Sequence, residues 1–284
     1  MSSSPDVATG VAARERYLAD GVVHLPGAFA PRWLETLGAG IARDMAAPSA
    51  RFEARTAPGS TARYCEDFWV WSEIPELEAF VRESPAAAIA AGLMKAERVN
   101  LVMDNWFLRE PGATARAPWH HDVAYFDFEG TMCVLWLPLE AVAAGEGVSF
   151  VRGSHRWGRL FQRVTFRDHR AAGEPGTVNG LVYEPPPDVE ADPDAYDIVA
   201  FDCAPGDAIV FDMRTLHGSR PGAPPAELQR RFTLRMAAED GRIRHRGDWA
   251  KAERAIVEAA GYREGDAIDG DFFPRLWPRP PAAA

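Results

Sequence analysis

The residues with the clearest capacity for chemistry are His120 and Asp122, spaced as H-x-D in Pro118-Trp119-His120-His121-Asp122. On an extended backbone, residues i and i+2 project to the same side. One imidazole and one carboxylate can then reach a single cation, a donor pair that Fe(II) accepts while keeping other coordination positions open. An isolated H-x-D is more often a surface turn, so the pair needs a third ligand. His217, in DMRTLHGSRPG, follows the apolar run DAIVF and precedes a Gly-Ser turn. It completes a two-histidine, one-carboxylate set that leaves iron free for a bidentate cosubstrate and O2.

A 2-oxoacid chelating such an iron carries its far carboxylate into the interior, where a guanidinium fork is best suited to meet it. In QRRFTLRM, alternation sets Arg231, Thr233 and Arg235 on one face and Arg230, Phe232 and Leu234 on the other. Arg231 and Arg235 are the candidates, and Arg231 is preferred. A solvated strand face or a surface ion pair is the competing reading of either.

These residues need a scaffold that brings distant strands together. The first third reads as helical, with Val11 to Leu18, then Pro31 to Met45 carrying Trp33, Leu34, Leu37, Ile41 and Met45 at helical spacing, and a stretch from about Pro75 to Lys95. Within it, GVVHLPG reads as a brief strand. From Arg98 onward short apolar runs bounded by Gly, Pro or Asp take over, among them VNLVMDNWFLREPG, TMCVLWLPL, GVSFV, DAIVFDM and RFTLRMA. The expectation is a mostly β fold with flanking helices, a double-stranded β-helix or cupin-like jelly roll. One domain over 1–284 is expected, with a helical part about 9–95 packed on a core about 96–240 and a C-terminal helix about 248–260. Arg156 to Asp197, rich in Pro, Gly and acids, reads as a long lid-like loop, and the closing PRPPAAA as a fraying end.

Composition narrows the function. With 284 residues, 47% apolar and 25% charged, the chain is that of a globular protein with a real core. A net charge of −10 argues against nucleic acid, which demands a basic footprint. Three widely separated cysteines, Cys65, Cys133 and Cys203, offer no disulfide framework and fit a reducing, cytoplasmic setting. No signal peptide and no membrane span is read. No heptads or interface helix indicate an oligomeric state.

The order of segments FLREPG, PWHHDVAYF, VLWLPLEAV, GVSFVRGSHRWG, PGDAIVF, TLHGS and RRFTLRMAAED resembles the phytanoyl-CoA dioxygenase family of Fe(II)- and 2-oxoglutarate-dependent enzymes, over about Gly21 to Trp277. The resemblance implies that His120, Asp122 and His217 ligate iron and that Arg231 grips the distal carboxylate of 2-oxoglutarate, assisted by Ser219. It also places Trp136 against the cosubstrate, where a plain core role competes. His121 stands where the family usually has Gln, and the segment after HGS is longer than usual, which leaves the arginine register open. His155, in a turn the family shares, reads as support for the lid; His24, His169 and His245 have no constellation around them.

The implied reaction consumes O2 and converts 2-oxoglutarate to succinate and CO2 while a small organic substrate is hydroxylated. Desaturation, epoxidation or ring closure fits the same centre, whereas halogenation is disfavoured because Asp122 is retained. The alternatives are a non-redox cupin-like hydrolase or isomerase, or an inactive binding module. Phe68, Trp69, Trp71, Trp106, Tyr125 and Phe126 are candidate pocket walls. The overall acidity favours a small free substrate over an acyl-CoA.

Overall fold

The computed structural model describes residues 10–280 other than Pro58, Arg167 and Glu174. The proline-rich end beyond residue 280 and the start of the expected helical part at residue 9 therefore lie outside the described residues. Elements in the first part run α1 (Val11–Asp20), β1 (Val22–Leu25), α2 (Pro31–Ala46), β2 (Glu53–Thr56), β3 (Arg63–Phe68), α3 (Pro75–Glu83), α4 (Ala86–Met94) and β4 (Val99–Arg109). Then follow β5 (Phe128–Glu129), β6 (Met132–Pro138), β7 (Ser149–Val151), β8 (Leu160–Phe161), β9 (Gly176–Val178), β10 (Leu181–Glu184), β11 (Ile198–Ala200), β12 (Ala208–Asp212), β13 (His217–Gly218), β14 (Gln229–Ala238), β15 (Arg242–Ile243), α5 (Lys251–Ala259) and β16 (Arg275–Trp277).

The large sheet has the order β1-β12-β6-β14-β4-β3-β2, with β16 added to β4. Its pairings are all antiparallel. A smaller sheet, β11-β7-β13, lies against its inner face. The period of two divides each central strand between two cores. On β6, Cys133, Leu135 and Leu137 join α2, α3 and α4 in the outer core, whereas Val134 and Trp136 face inward with Phe150 of β7 and Ile209 and Phe211 of β12. The expected jelly roll is thus the observed fold, with helices on the outside of one sheet and the site between the two.

The helices form where the sequence indicates them, for identifiable reasons. Pro31 opens α2 at a position where a missing amide proton costs nothing. The helix buries Trp33, Leu37 and Ile41, each contributing about 1.5–3 kcal/mol if fully removed from water. Gly21 ends α1 in a left-handed turn at φ 77°, its N–H returning to Tyr17 O. A Cβ there would meet His155 and Thr215 side-chain atoms at 2.3 to 2.8 Å, so only glycine fits.

Three features depart from the sequence reading. The single helix expected over Pro75 to Lys95 is two, because Pro85 forces Ser84 out of helical backbone to ψ 168°. The nominally helical part also contains β2 and β3, whose mixed charged and apolar residues hide the alternation that burial makes plain in β3. The lid-like segment is not structureless: β8, β10 and β9 form a three-stranded sheet within it. The C-terminal helix is α5, entered through a 3-10 turn at Asp248–Ala250. No helix among the described residues is long and apolar enough to cross a membrane.

Candidate metal centre

His217 lies on β13, the edge of the small sheet, paired with Phe150 of β7. His120 joins it by an isolated antiparallel bridge: His120 N donates to His217 O and His217 N to His120 O, both at 2.8 Å. Asp122, two residues on, opens a short 3-10 turn that is held by Val123 N on Met213 O at 3.1 Å. The H-x-D segment and the distal histidine, far apart in sequence, are in this way fixed by backbone bonds before any side chain is considered.

His120, Asp122 and His217 are all buried, and one donor atom from each lies within 4.8 Å of the others. His120 Nε2 and His217 Nε2 stand 3.3 and 3.5 Å from Asp122 Oδ1. Cis ligands of a six-coordinate ion with bonds of about 2.1 Å sit about 3 Å apart, so the cluster has the size a small divalent ion needs. The tautomers fit as well. His120 Nδ1 donates to Pro118 O at 2.7 Å and His217 Nδ1 to Thr215 O at 2.9 Å, which leaves both Nε2 lone pairs facing the shared point.

Electrostatics favour a cation there. Burial opposes the charge of Asp122, but Arg235 and the two histidines outweigh it and hold the carboxyl well below the usual carboxylate range. Burial and repulsion from His120 push His217 down to about 3, so it stays a neutral donor. Arg235 Nε donates to Asp122 Oδ2 at 2.7 Å, which leaves Oδ1 for the metal. Arg235, one of the two arginines expected to bind a carboxylate, is therefore already engaged by the ligand aspartate.

Arg231 differs. It is buried, four residues earlier on the same face of β14; its Nη2 donates to Gln229 Oε1 at 2.6 Å, and no carboxylate among the described residues pairs with it. Its buried Nε has no hydrogen-bond partner among the described residues. Burial draws its pKa down to about 10, the mark of a cation held without an anion. A cavity of about 80 Å³ runs from the triad to Arg231 and is lined also by Ser219, Trp136, Thr233, Arg109 and Tyr64. Trp136 lies beneath Arg231, its ring centre 5.6 Å from the guanidinium carbon. The structure thus brings His120, Asp122, His217, Arg231, Arg235, Ser219 and Trp136 together around one cavity.

Other expectations change. Trp106 is wholly buried on the helical side and donates from Nε1 to Asp44 Oδ2 at 2.7 Å, and Trp71 belongs to the same outer core. Trp69 is buried in the inner core, bonded to Val102 O. Of the six proposed wall aromatics, Phe68, Tyr125 and Phe126 line a second, outer cavity of about 400 Å³ that opens on His120 and Asp122. His121 accepts from Phe161 N–H at 3.0 Å, is pushed down to about 3 by burial, and fastens the lid-like segment at β8. His155 bonds Leu18 O, so it ties its turn to α1 instead of to the lid. His24, His169 and His245 bond elsewhere.

Sequence reasoning missed Arg109, Tyr64 and Phe166. Arg109 closes β4, and its Nη2 donates to Ala113 O at 3.0 Å. The Tyr64 phenol is pushed up to about 12 by burial and Glu66 against the pull of Arg231, and so remains a neutral donor. Phe166 stands edge-on to His120, ring centres 5.2 Å apart. Arg109 was visible within FLREPG, where strand alternation shares its face with Phe107; the other two carry no local signal.

Gly218 makes the closest approach at the centre. A Cβ there would lie 3.0 Å from Pro118 O and from Trp119 backbone atoms, immovable neighbours on the facing ligand segment. Gly218→Ala should part His217 from His120 and weaken Fe(II) binding roughly tenfold or more, the size of effect that misplacing ligand supports has. Anaerobic Fe(II) titration of both proteins measures this.

Two imidazoles and one carboxylate on a jelly roll, with a buried arginine beyond them that meets no carboxylate among the described residues, are a donor set that could hold one metal ion. The chain belongs to the phytanoyl-CoA dioxygenase family, whose model matches residues 17–224. No curated protein matches it significantly. Among solved structures it is similar to SnoN, the epimerase crystallised with Fe3+, α-ketoglutarate and nogalamycin RO, at 22% identity and TM-score 0.70 over 93% of this chain and 97% of SnoN. It is similar to SnoK, the α-ketoglutarate-dependent carbocyclase from nogalamycin biosynthesis, at 19% identity and TM-score 0.69 over 96% and 100%. EctD from S. alaskensis, solved with 2-oxoglutarate and 5-hydroxyectoine, follows at 18% and 0.63 over 85% and 80%. At these identities the likeness is one of fold.

Proposed function

We propose that the protein is an Fe(II)- and 2-oxoglutarate-dependent dioxygenase that hydroxylates a small organic molecule. The observation that carries this reading is Arg231: a buried guanidinium without a carboxylate, at the far end of a cavity that begins at a three-ligand cluster. A non-redox hydrolase or isomerase that takes no 2-oxoacid would leave that cation buried to no purpose, whereas a dicarboxylate bound at the metal satisfies it.

His120 Nε2, Asp122 Oδ1 and His217 Nε2 would hold the iron, with Arg235 fixing the aspartate. Arg231 takes the distal carboxylate, and Ser219, Arg109 and the neutral Tyr64 phenol supply further donors around it. Trp136 lies beneath the guanidinium, and the burial of both side chains strengthens the ion pair. When bound, iron and 2-oxoglutarate supply oxidative decarboxylation to succinate and CO2, coupled to oxidation of a substrate C–H bond. The outer cavity presents substrate to the side of the cluster away from Arg231.

Anaerobic addition of Fe(II) and then 2-oxoglutarate to metal-free protein should produce the visible charge-transfer band of a chelated 2-oxoacid. A folded, metal-binding protein with no such band would overturn the reading.

A further inference from the structure

The outer cavity has the size of a small-molecule site, and its fixed charges are arranged in an unusual way. Four arginines and four acids line it, and each is already paired with an oppositely charged side chain. Arg51 meets Glu73, Arg55 meets Glu66 and Glu53, Arg163 meets Glu253, and Arg235 meets Asp122. Between these pairs the wall is aromatic, with Phe68, Tyr125, Phe126 and Phe166. A charged substrate would have to break one of these pairs, whereas a neutral, flat one breaks none.

One acceptor in this wall is incomplete. Glu253 Oε1 is ion-paired with Arg163 Nη1 at 3.2 Å, whose hydrogen bond goes to Trp249 O at 2.6 Å, and Glu253 Oε2 is buried with no hydrogen-bond donor among the described residues. Glu253 lines the cavity, and the terminal torsion of a glutamate is soft, so its carboxylate can turn toward a donor placed there. Glu253 sits on α5, which lies beyond the residues that the family model matches. Arg254 Nε on Asp127 Oδ2 at 2.5 Å and Trp249 Nε1 on Ala124 O at 2.9 Å bolt this part of the chain to the segment that follows Asp122. The acceptor is therefore held at a fixed place relative to the metal ligands.

We propose that Glu253 is a specificity-determining residue: it accepts a hydrogen bond from a hydroxyl or other donor on an uncharged, flat ring substrate and turns carboxylates away. The proposal rests on the outer cavity being the substrate side of the iron centre.

Equilibrium dialysis with two probes of one shape, 1-naphthaleneethanol and 1-naphthaleneacetate, tests it on metal-free and on Fe(II)- and 2-oxoglutarate-loaded protein without oxygen. The wild type should bind the alcohol at least about tenfold more tightly than the carboxylate, a difference of one hydrogen bond set against one charge repulsion. Glu253→Ala frees Arg163 and should invert the order. Glu253→Gln keeps the acceptor and the shape and should narrow the gap, and it serves if the alanine variant does not fold. Equal binding of the two probes by the wild type, or an unchanged ratio in both variants, overturns the proposal. A missing charge-transfer band alongside the expected probe ranking would instead count against the cofactor reading alone.

Discussion

Replacing Asp122 by alanine should abolish coupled succinate formation and at the same time destabilise the fold, by about 3–5 kcal/mol. The first loss follows from the donor set, since two imidazoles without the carboxylate leave the cation underbonded. The second follows from Arg235, whose buried Nε would lose the one acid that compensates it among the described residues. Leaving one partner of a buried pair uncompensated costs far more than the pair contributes when both are present. The ion pair makes Asp122 a structural residue as well as a candidate ligand. Asp122→Ala combined with Arg235→Met should recover most of the stability and none of the activity. Chemical denaturation and succinate release, measured on the same preparations, separate the two effects. Full activity in the single variant would remove Asp122 from the centre.

The second large effect is expected at Arg231, and here stability and activity should move in opposite directions. Arg231→Met removes a cation that burial has weakened and that pairs with no carboxylate among the described residues, so the variant should unfold at the same or a higher denaturant concentration. It should also lose the cosubstrate. Truncating a buried, hydrogen-bonded charge pair costs about 2–5 kcal/mol, which is roughly 30-fold to several thousand-fold in 2-oxoglutarate affinity. Fe(II) affinity should be unchanged, because Arg231 touches no ligand. If KM for 2-oxoglutarate were unaltered, Arg231 would not bind the distal carboxylate.

The chemistry was largely legible in the sequence because it depends on short-range geometry. H-x-D on an extended segment, and arginines alternating along RFTLR, each need only a period of two. Whatever depends on a strand's two faces was harder to read. In VNLVMDNWFLR nearly every position is apolar or buried, so nothing local says that Phe107 faces the site while Trp106 packs on the helices, and a register shift at Arg235/Met236 complicates the pairing. Tyr64 and Glu66 lie on a strand whose charged residues conceal its alternation. The placement of Glu253 is purely tertiary, since no pattern in α5 reveals which helix face meets a cavity built from the other end of the chain.

The bridge between His120 and His217 bears on how the protein comes to hold its metal. Zinc fingers and similar small domains spend metal-binding energy on folding, because their ligands have no other reason to meet. Here two backbone hydrogen bonds and the surrounding β pairing set the ligand spacing. Metal loading is then a step that follows folding instead of driving it, and the affinity of the centre is available in full to select the ion. Chelation should silence the protein without melting it, leaving a receptive apoprotein whose activity returns with iron.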